Sequence, residues 1–240
     1  MTDKTIDEGV LENLRSVSVA TITMQLLKRG LRSCYIAGAM PLTADTPRIA
    51  APAYTMRFIP MREDLSDPAV LSDPEYAPRK SVEEIPAGHI MVIDCRGVTS
   101  AGALGDIIAL RLKVRGVAGV VTDGAVRDGV AVADTGLPVY CAGHAAPVSL
   151  GEHFGADVQQ PVACGGAAVF PGDIVVADRD GAVVVPRALA AEIAATAPEQ
   201  ERMEDFLTSR IRDGHALIGT YPPNEEALAA YEIWKAGQPD

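Results

Sequence analysis

The pair Arg127 and Asp128 is the part of this sequence whose residue types most directly suggest chemistry. It ends a polar loop, residues 122–128, that follows an apolar stretch with the character of a buried strand. A planar guanidinium suits a carboxylate or an enolate oxygen, and an aspartate offers the hard oxygen ligand that Mg²⁺ or Mn²⁺ prefers. An Arg beside an Asp can equally form a surface ion pair, so the pair alone leaves both interpretations open.

A second loop, residues 101–106, is made of small residues and precedes a predicted helix. Gly102 and Gly105 would let the backbone approach a ligand, and free N–H groups at a helix start attract an anion. Glycine loops are common, however, and Asp106 could simply cap the helix. The loop therefore indicates a ligand-binding site only in combination with the Arg127–Asp128 pair.

Together the two loops match the needs of a metal-dependent reaction on a small 2-oxo acid. Mg²⁺ keeps several waters and takes one or two carboxylates, and the substrate supplies further oxygens. A chelated 2-oxo acid would be activated by the ion as a Lewis acid, which stabilises the enolate left when the C3–C4 bond breaks. Arg127 would share that negative charge, and no Schiff-base lysine is needed. The sequence therefore predicts a lyase with a Mg²⁺ or Mn²⁺ cofactor.

The elements that must position these loops form a strand–loop–helix–strand series. A short apolar strand is predicted at residues 90–94, a helix at 107–114 that stops at Gly116, and strands at 117–122 and 138–142. This order is typical of a βαβ crossover with functional loops at strand ends, and it predicts an α/β fold.

The regions on either side of this series are predicted to contain both helices and strands. Residues 60–85 are rich in Pro, Asp and Glu without an apolar period, which predicts a surface excursion that serves as a lid or an oligomer contact. The whole chain, residues 1–240, is predicted to be one domain. The remaining predicted elements are a helix at 7–30, a loosely alternating stretch at 54–59, a hairpin of 174–177 with 182–185, a helix at 187–212, and a tail, 221–240, with a helix around 228–234.

Composition excludes some classes of function. The net charge of −11 repels phosphate backbones, so no nucleic-acid partner is expected, and no apolar run is long enough to cross a membrane. The four cysteines form no CxxC pair and lie in apolar or small-residue surroundings, as expected of reduced thiols in a cytoplasmic protein. These are Cys34, Cys95, Cys141 and Cys164.

The spacing of Asp106, twenty residues, and Arg127–Asp128 resembles the D-x20-R-D pattern of class II pyruvate aldolases. The chain is similar to the 4-hydroxy-4-methyl-2-oxoglutarate / 4-carboxy-4-hydroxy-2-oxoadipate aldolases of the RraA-like family, which also contains regulators of ribonuclease activity. The resemblance covers roughly residues 10–220. Further matching stretches are 86–89, 119–124, 136–139 and 171–186.

The resemblance implies a swivelling β/β/α core with N-terminal helices and a C-terminal helical tail, in homotrimers or hexamers with sites between subunits. By the same resemblance, Asp128 would bind the metal and Arg127 the 2-oxo acid. Asp106 would hold water on the metal, or substrate, and oxaloacetate decarboxylation would use the same enolate. The substrate carboxylate would be held by a loop whose residues are Gly102, Ala103, Leu104, Gly105, Asp106 and Ile107.

Departures from the family pattern keep other functions open. His215 stands where the aldolases place an acid from an adjacent subunit, which favours as an alternative a hydro-lyase on a sugar-acid-derived 2-oxo acid. A non-catalytic regulator of ribonuclease activity is the second alternative. Arg57, Arg62 and Arg79 could reach a distal substrate carboxylate or be solvated surface charges, and His144 could line the site.

Overall fold

The computed structural model describes residues 6–237, which form a mixed α/β structure. Single-turn 3-10 helices occur at Pro68–Ser72, Ser149–Gly151 and Arg187–Leu189. The described helices are α1 (Glu8–Ser16), α2 (Val19–Lys28), α3 (Ala77–Glu84), α4 (Asp106–Val114), α5 (Gly129–Asp134), α6 (Ala190–Arg212), α7 (Leu217–Thr220) and α8 (Glu225–Ala236). The described strands are β1 (Tyr35–Ile36), β2 (Met40–Pro41), β3 (Ile49–Pro60), β4 (Ile90–Asp94), β5 (Gly119–Thr122), β6 (Ala125–Val126), β7 (Val139–Cys141), β8 (Gly143–His144), β9 (His153–Val158), β10 (Val162–Cys164), β11 (Ala167–Val169), β12 (Ile174–Asp178) and β13 (Gly181–Val185).

The sheet is built around four neighbouring parallel strands, β3, β4, β5 and β7. Helix α4 connects β4 to β5, so the predicted βαβ crossover is confirmed. The other edge of β3 pairs antiparallel with β12 and then with β9, and the β12–β13 hairpin is as predicted. Strands β4 and β5 are buried along their whole length, as their continuous apolar sequences require. Because β4 and β5 run parallel, their carboxyl ends lie at the same edge of the sheet.

The core is largely aliphatic, and most of it lies on the two faces of the sheet. One face is covered by α1, α2 and α6, whose buried residues include Leu14, Ile22 and Ile193. On another side of the sheet, α3 and α4 pack over a cluster with Met56, Met91 and Leu112. The predicted α/β class, with N-terminal helices and a C-terminal helical tail, is confirmed.

The prediction of one helix over residues 7–30 was wrong. The chain leaves helical geometry at Val17 and Ser18, whose backbones are extended. Ser18 then caps α2, because its hydroxyl accepts a hydrogen bond from the Thr21 N–H at 3.1 Å. The apolar spacing continues through the break because both helices face the same core, which is why periodicity alone does not show it.

Residues 60–85 also differ from the irregular excursion that their sequence predicts. They contain α3, whose inner side buries Ser81 and Val82. The Tyr76 hydroxyl accepts a hydrogen bond from the Gly155 N–H at 3.0 Å, and the Tyr76 and Phe154 rings lie 5.6 Å apart. The segment is therefore anchored on β9.

Three further findings concern the rest of the chain. The tail helix predicted around 228–234 is confirmed as α8, and residues 238–240 of the predicted tail lie outside the described residues. All four cysteines are free, and three of them are buried. No helix within residues 6–237 is long and apolar enough to cross a membrane.

Candidate active site

The two loops singled out in the sequence interlock through backbone hydrogen bonds. The Ala103 N–H donates to the Ala125 carbonyl at 2.8 Å, and the Arg127 N–H donates to the Leu104 carbonyl at 2.8 Å. The Gly102 N–H donates to the Pro147 carbonyl at 3.0 Å, which adds a third segment. Both loops leave the carboxyl ends of parallel strands, where ligands bind in open α/β sheets. The backbone thus holds Arg127 against the start of α4.

Glycines make this close approach possible. A β-carbon on Gly102 would lie 2.3 Å from the Arg127 Cγ and 2.7 Å from the Arg127 backbone nitrogen. A β-carbon on Gly105 would lie 3.0 Å from an Asp128 carboxylate oxygen. The two glycines therefore permit the contact between the first loop and the Arg127–Asp128 pair.

Asp123 is the buried anchor of this edge of the sheet. Its carboxylate accepts hydrogen bonds from the Cys95 N–H at 2.7 Å, the Gly97 N–H at 2.9 Å and the Gly165 N–H at 3.0 Å. These donors belong to the turn after β4 and to the β10–β11 turn. Asp123 therefore ties two turns to the loop that carries Arg127.

Asp128 has a left-handed backbone, with φ 52° and ψ 39°, and precedes α5. Aspartate is among the few residue types that adopt this conformation readily. Its side chain is exposed and makes no hydrogen bond or ion pair with residues 6–237. The carboxylate is thus presented to a ligand and not to the protein.

Arg127 is half-buried and carries an unsatisfied polar atom. Its Nε is buried and has no hydrogen-bond partner, and its guanidinium forms no salt bridge within the described part of the chain. Buried polar groups in folded proteins are nearly always hydrogen-bonded. The buried Nε atoms of Arg57, Arg115 and Arg210 likewise lack an acceptor, but of these four arginines only Arg127 lines the cavity described next, where a bound anion could accept from its guanidinium.

A cavity of about 330 Å³ brings the predicted residues together. This volume is at the small end of the roughly 300–1,000 Å³ range of small-molecule pockets. All of the predicted site residues, Gly102 to Ile107 with Arg127 and Asp128, line it. The remaining walls of the cavity were not predicted from the sequence. These are Met56, Leu71, Pro78, Ser81, Val82, Met91, Ile93, Ile108, Val148 and Ser149. Arg79, for which the sequence left open a contact with a distal substrate carboxylate or a solvated surface charge, also lines the cavity.

The backbone amides of the first loop are only partly available. The Ala103 N–H is used by Ala125, and the Ile107 N–H donates to its neighbour's carboxylate, the Asp106 Oδ1, at 2.8 Å. The backbone N–H groups of Leu104, Gly105 and Asp106 have no acceptor among the described residues. Gly105, not Asp106, occupies the N-cap of α4. An anion would therefore be held by three amides at a helix start.

Several residues that the sequence suggested as candidate site residues lie away from this cavity. Arg57 is paired with Asp157, and Arg62 with Asp64 at 2.6 Å. His144 is exposed and packs against Gly129, beside the site but outside its lining. His215 is exposed near the C-terminal helices, where its Nδ1 lies 3.3 Å from an Arg210 nitrogen. None of them lines the cavity.

The donor set fits a hydrated Mg²⁺ or Mn²⁺. Asp106 and Asp128 both line the cavity, and one or two carboxylates with waters are what Mg²⁺ takes from a protein. Within residues 6–237 no group of three or more His, Cys, Asp or Glu side chains converges as a metal cluster. The arrangement therefore suits a weakly held, water-rich ion and not a closed structural metal site.

The cysteine thiols near the site are unreactive. Burial raises the pKa of Cys95 to about 12 and raises that of Cys164 well above its ordinary value. A thiol of such pKa is protonated at neutral pH and is a poor nucleophile. The chemistry of this edge of the sheet therefore rests on oxygen and guanidinium groups.

Comparisons with known proteins show which proteins this chain resembles. The model of the RraA-like family, Aldolase/RraA, matches residues 12–184. A Halalkalibacterium halodurans protein named "Putative 4-hydroxy-4-methyl-2-oxoglutarate aldolase" is 30% identical over 63% of this chain and 72% of its own length. Legionella pneumophila Protein DlpA is 27% identical over 78% of this chain, but only 30% of that longer protein is covered.

Solved structures extend the comparison. Streptomyces coelicolor RraAS2, described as an unusual member of the RNase ES inhibitor RraA protein family, is 36% identical with a TM-score of 0.74. The match covers 85% of this chain and 97% of that one. An uncharacterized protein from Pseudomonas syringae has the same fold, with a TM-score of 0.80 at 24% identity over 93% of this chain and 98% of that one.

Proposed function

The chain belongs to the RraA-like family, and we propose that it is a divalent-metal-dependent lyase that cleaves or decarboxylates a small 2-oxo acid through a pyruvate enolate. The observation that carries this proposal is the cavity itself. It gathers two acidic side chains that form no ion pair with the described residues, three amides without an acceptor among them, and an arginine without a salt bridge into a space the size of a small acid. The aldolase name of the Halalkalibacterium relative supports the same reaction class.

Each group has a role that follows from its position. The amides of Leu104, Gly105 and Asp106 would hold the substrate carboxylate at the positive end of α4. Arg127 would donate to the keto oxygen and stabilise the charge that develops there as the carbon–carbon bond breaks. Because its Nε is buried, that charge interaction would be only weakly screened by water.

Asp128 and Asp106 would hold the ion, directly or through water. When bound, Mg²⁺ or Mn²⁺ would supply a Lewis acid for the oxygens of the 2-oxo acid. Since Asp128 is exposed and pairs with no described residue, its carboxylate can take up an ion without breaking a protein contact.

We propose further that the protein is a homotrimer or hexamer with sites between subunits. Helix α4 exposes Ile107, Leu110 and Val114 on one face, and Val130 of the neighbouring α5 is 81% exposed. Apolar side chains clustered in this way mark interaction surfaces. Ile107 also lines the cavity, so a subunit that covers this face would border the site. The role of His215 as a residue of an adjacent site stays a prediction.

The direct test is pyruvate release from oxaloacetate and from 4-hydroxy-4-methyl-2-oxoglutarate, with Mg²⁺ or Mn²⁺ and with EDTA. Release that requires the ion with both substrates is the expected result. Release from oxaloacetate alone would support the proposed reaction class but would indicate a natural substrate other than 4-hydroxy-4-methyl-2-oxoglutarate. Absence of release from either, in protein shown to be folded, would contradict the proposal.

Two alternative functions rest on specific observations. The likeness to RraAS2, described as belonging to an RNase ES inhibitor family, favours a regulator of ribonuclease activity. The position of His215 favours a hydro-lyase on a sugar-acid-derived 2-oxo acid. Loss of water from a sugar acid without pyruvate release would select the hydro-lyase. Inhibition of a ribonuclease by an Asp128→Asn variant as strong as by the wild type would select the regulator.

A further inference from the structure

Arg79 is a second arginine on the cavity wall that has no acidic partner. It is half-buried on α3, and no carboxylate of residues 6–237 lies within salt-bridge distance of it. The other cations around α3 are all paired: Lys80 with Glu75 and Glu84, and Arg111 and Arg115 with Glu83.

The local structure holds this arginine in a defined position. The Arg79 Nε donates a hydrogen bond to the Leu71 carbonyl at 2.8 Å, and Leu71 also lines the cavity. Because the guanidinium is planar, one fixed nitrogen orients the other two. Both terminal nitrogens are left without an acceptor among the described residues, and neither is sealed from solvent. They form a fork suited to a carboxylate.

The rest of the cavity wall is largely apolar. It includes Met56, Met91 and Ile93, all nearly inaccessible to outside solvent. A ligand that satisfied both arginines would therefore carry an anionic group at each end and an aliphatic middle. A monocarboxylate would leave one guanidinium with water only.

We infer that Arg79 is the specificity-determining residue that binds the distal carboxylate of a 2-oxo dicarboxylic acid, and that without Arg79 the site would not distinguish 2-oxo dicarboxylic from 2-oxo monocarboxylic acids. This inference rests on the proposed function, since it assumes that the 2-oxo acid end lies at Arg127 and α4. It gives the segment 60–85 a role in specificity, because the α3 part of that segment brings Arg79 to the cavity.

The test compares the binding of 2-oxoglutarate and 2-oxopentanoate by calorimetry in saturating Mg²⁺. The two acids have the same carbon count and the same 2-oxo acid end, and neither carries the C4 hydroxyl that retro-aldol cleavage requires. Wild-type protein is expected to bind 2-oxoglutarate roughly tenfold to a hundredfold more tightly, the range of a charge-assisted hydrogen-bond pair. Arg79→Gln is expected to abolish this preference and to leave 2-oxopentanoate affinity unchanged, which also shows that the variant is folded.

Arg62→Gln is the matched control, because Arg62 belongs to the same segment but is exposed and paired with Asp64. It is expected to keep the wild-type preference. Equal affinity of the wild type for the two acids, or an unchanged preference in Arg79→Gln, would overturn the role of Arg79 while leaving the lyase proposal standing. Failure of the wild type to bind either acid would overturn the 2-oxo acid site and this inference together.

Discussion

At the scale of single residues, the contact between Gly102 and Arg127 makes a sharp prediction. Gly102→Ala would place a methyl group 2.3 Å from the Arg127 Cγ, so the arginine must move. Displacements of about 1 Å at a catalytic group can cost on the order of a hundredfold in rate. We expect a loss of that size in kcat for oxaloacetate decarboxylation, measured beside a circular dichroism spectrum.

Gly151→Ala is the control for that substitution. No atom lies within 4 Å of the position that its β-carbon would occupy. The control is expected to keep wild-type kcat, and a Gly102→Ala enzyme with wild-type kcat would show that Arg127 tolerates displacement.

His153 predicts a pH dependence of stability. It is fully buried and stacks on Phe58 with ring centroids 4.8 Å apart. Burial, with a smaller contribution from the Arg96 charge, lowers its pKa to about 4 from 6.5. The unfolded chain therefore binds a proton between these values that the folded protein does not, so stability falls as pH falls through this window.

The expected size is roughly 2 kcal/mol of unfolding free energy lost through His153 between pH 7 and pH 5. Urea unfolding of His153→Gln at both pH values measures it, since the variant lacks this contribution and its pH slope should be shallower by that amount. His89→Gln, at a partly exposed histidine, should keep the wild-type slope. Identical slopes for His153→Gln and wild type would refute the assignment.

At the scale of elements, the site depends on how Asp123 ties two turns to the loop that carries Arg127. The Cys95 N–H donates to one Asp123 oxygen, and the Gly97 and Gly165 N–H groups donate to the other. Asp123→Asn keeps the shape but replaces one of these oxygens by an NH₂ group, which cannot accept, so the donors on that side are left unpaired. A buried donor left unpaired costs about 1–3 kcal/mol. We expect a loss of that order in urea unfolding.

The same substitution should also impair catalysis, because the loop that Asp123 anchors leads to Arg127. Asp134→Asn, at an exposed position at the end of α5, should alter neither stability nor rate. A fully stable and active Asp123→Asn enzyme would mean that the turns hold their positions without this carboxylate.

Local sequence patterns were sufficient for the elements that carry the reacting groups. Strand β4 and helix α4 have continuous or periodic apolar residues of their own, so the loops at 101–106 and 122–128 could be placed at strand ends. Helix α3 could not be found in this way, because its sequence is rich in charge and its buried face is short. Strand β9 was missed because its burial alternates only weakly.

The walls of the cavity were also only partly predictable from the sequence. Arg127 and Asp128 are adjacent in sequence, so their pairing is visible without a structure. Arg79 and Ser149 reach the cavity only because α3 packs on β9 and the 3-10 helix Ser149–Gly151 folds back toward Gly102. Such long-range packing leaves no local signal in one sequence.

At the scale of the whole molecule, the apolar face of α4 predicts assembly. A Leu110→Glu, Val114→Glu double variant would place two charges on side chains that are now 52% and 71% exposed in the single chain. These charges can be accommodated in a monomer but not in a closely packed apolar interface. We expect multi-angle light scattering to show a trimer or hexamer for the wild type and a monomer for the variant.

A pair of charges on an exposed face of the same chain serves as the control. Met24→Glu with Leu27→Glu alters two exposed residues of α2, which covers a different face of the sheet from α4, and should leave the oligomer intact. A wild-type monomer, or an oligomer that survives the α4 substitutions, would contradict the proposed placement of subunits.

The most direct test of the central claim is the metal-dependent turnover of Asp128→Asn. The account predicts a loss of roughly a hundredfold or more in Mg²⁺-dependent pyruvate release from oxaloacetate, since even the outer-shell partners of metal ligands are worth about 10–100-fold. The variant should unfold at the same urea concentration as the wild type, because Asp128 forms no contact that stabilises the fold. Asp134→Asn should behave as the wild type. An Asp128→Asn protein with wild-type, metal-dependent turnover would contradict the account.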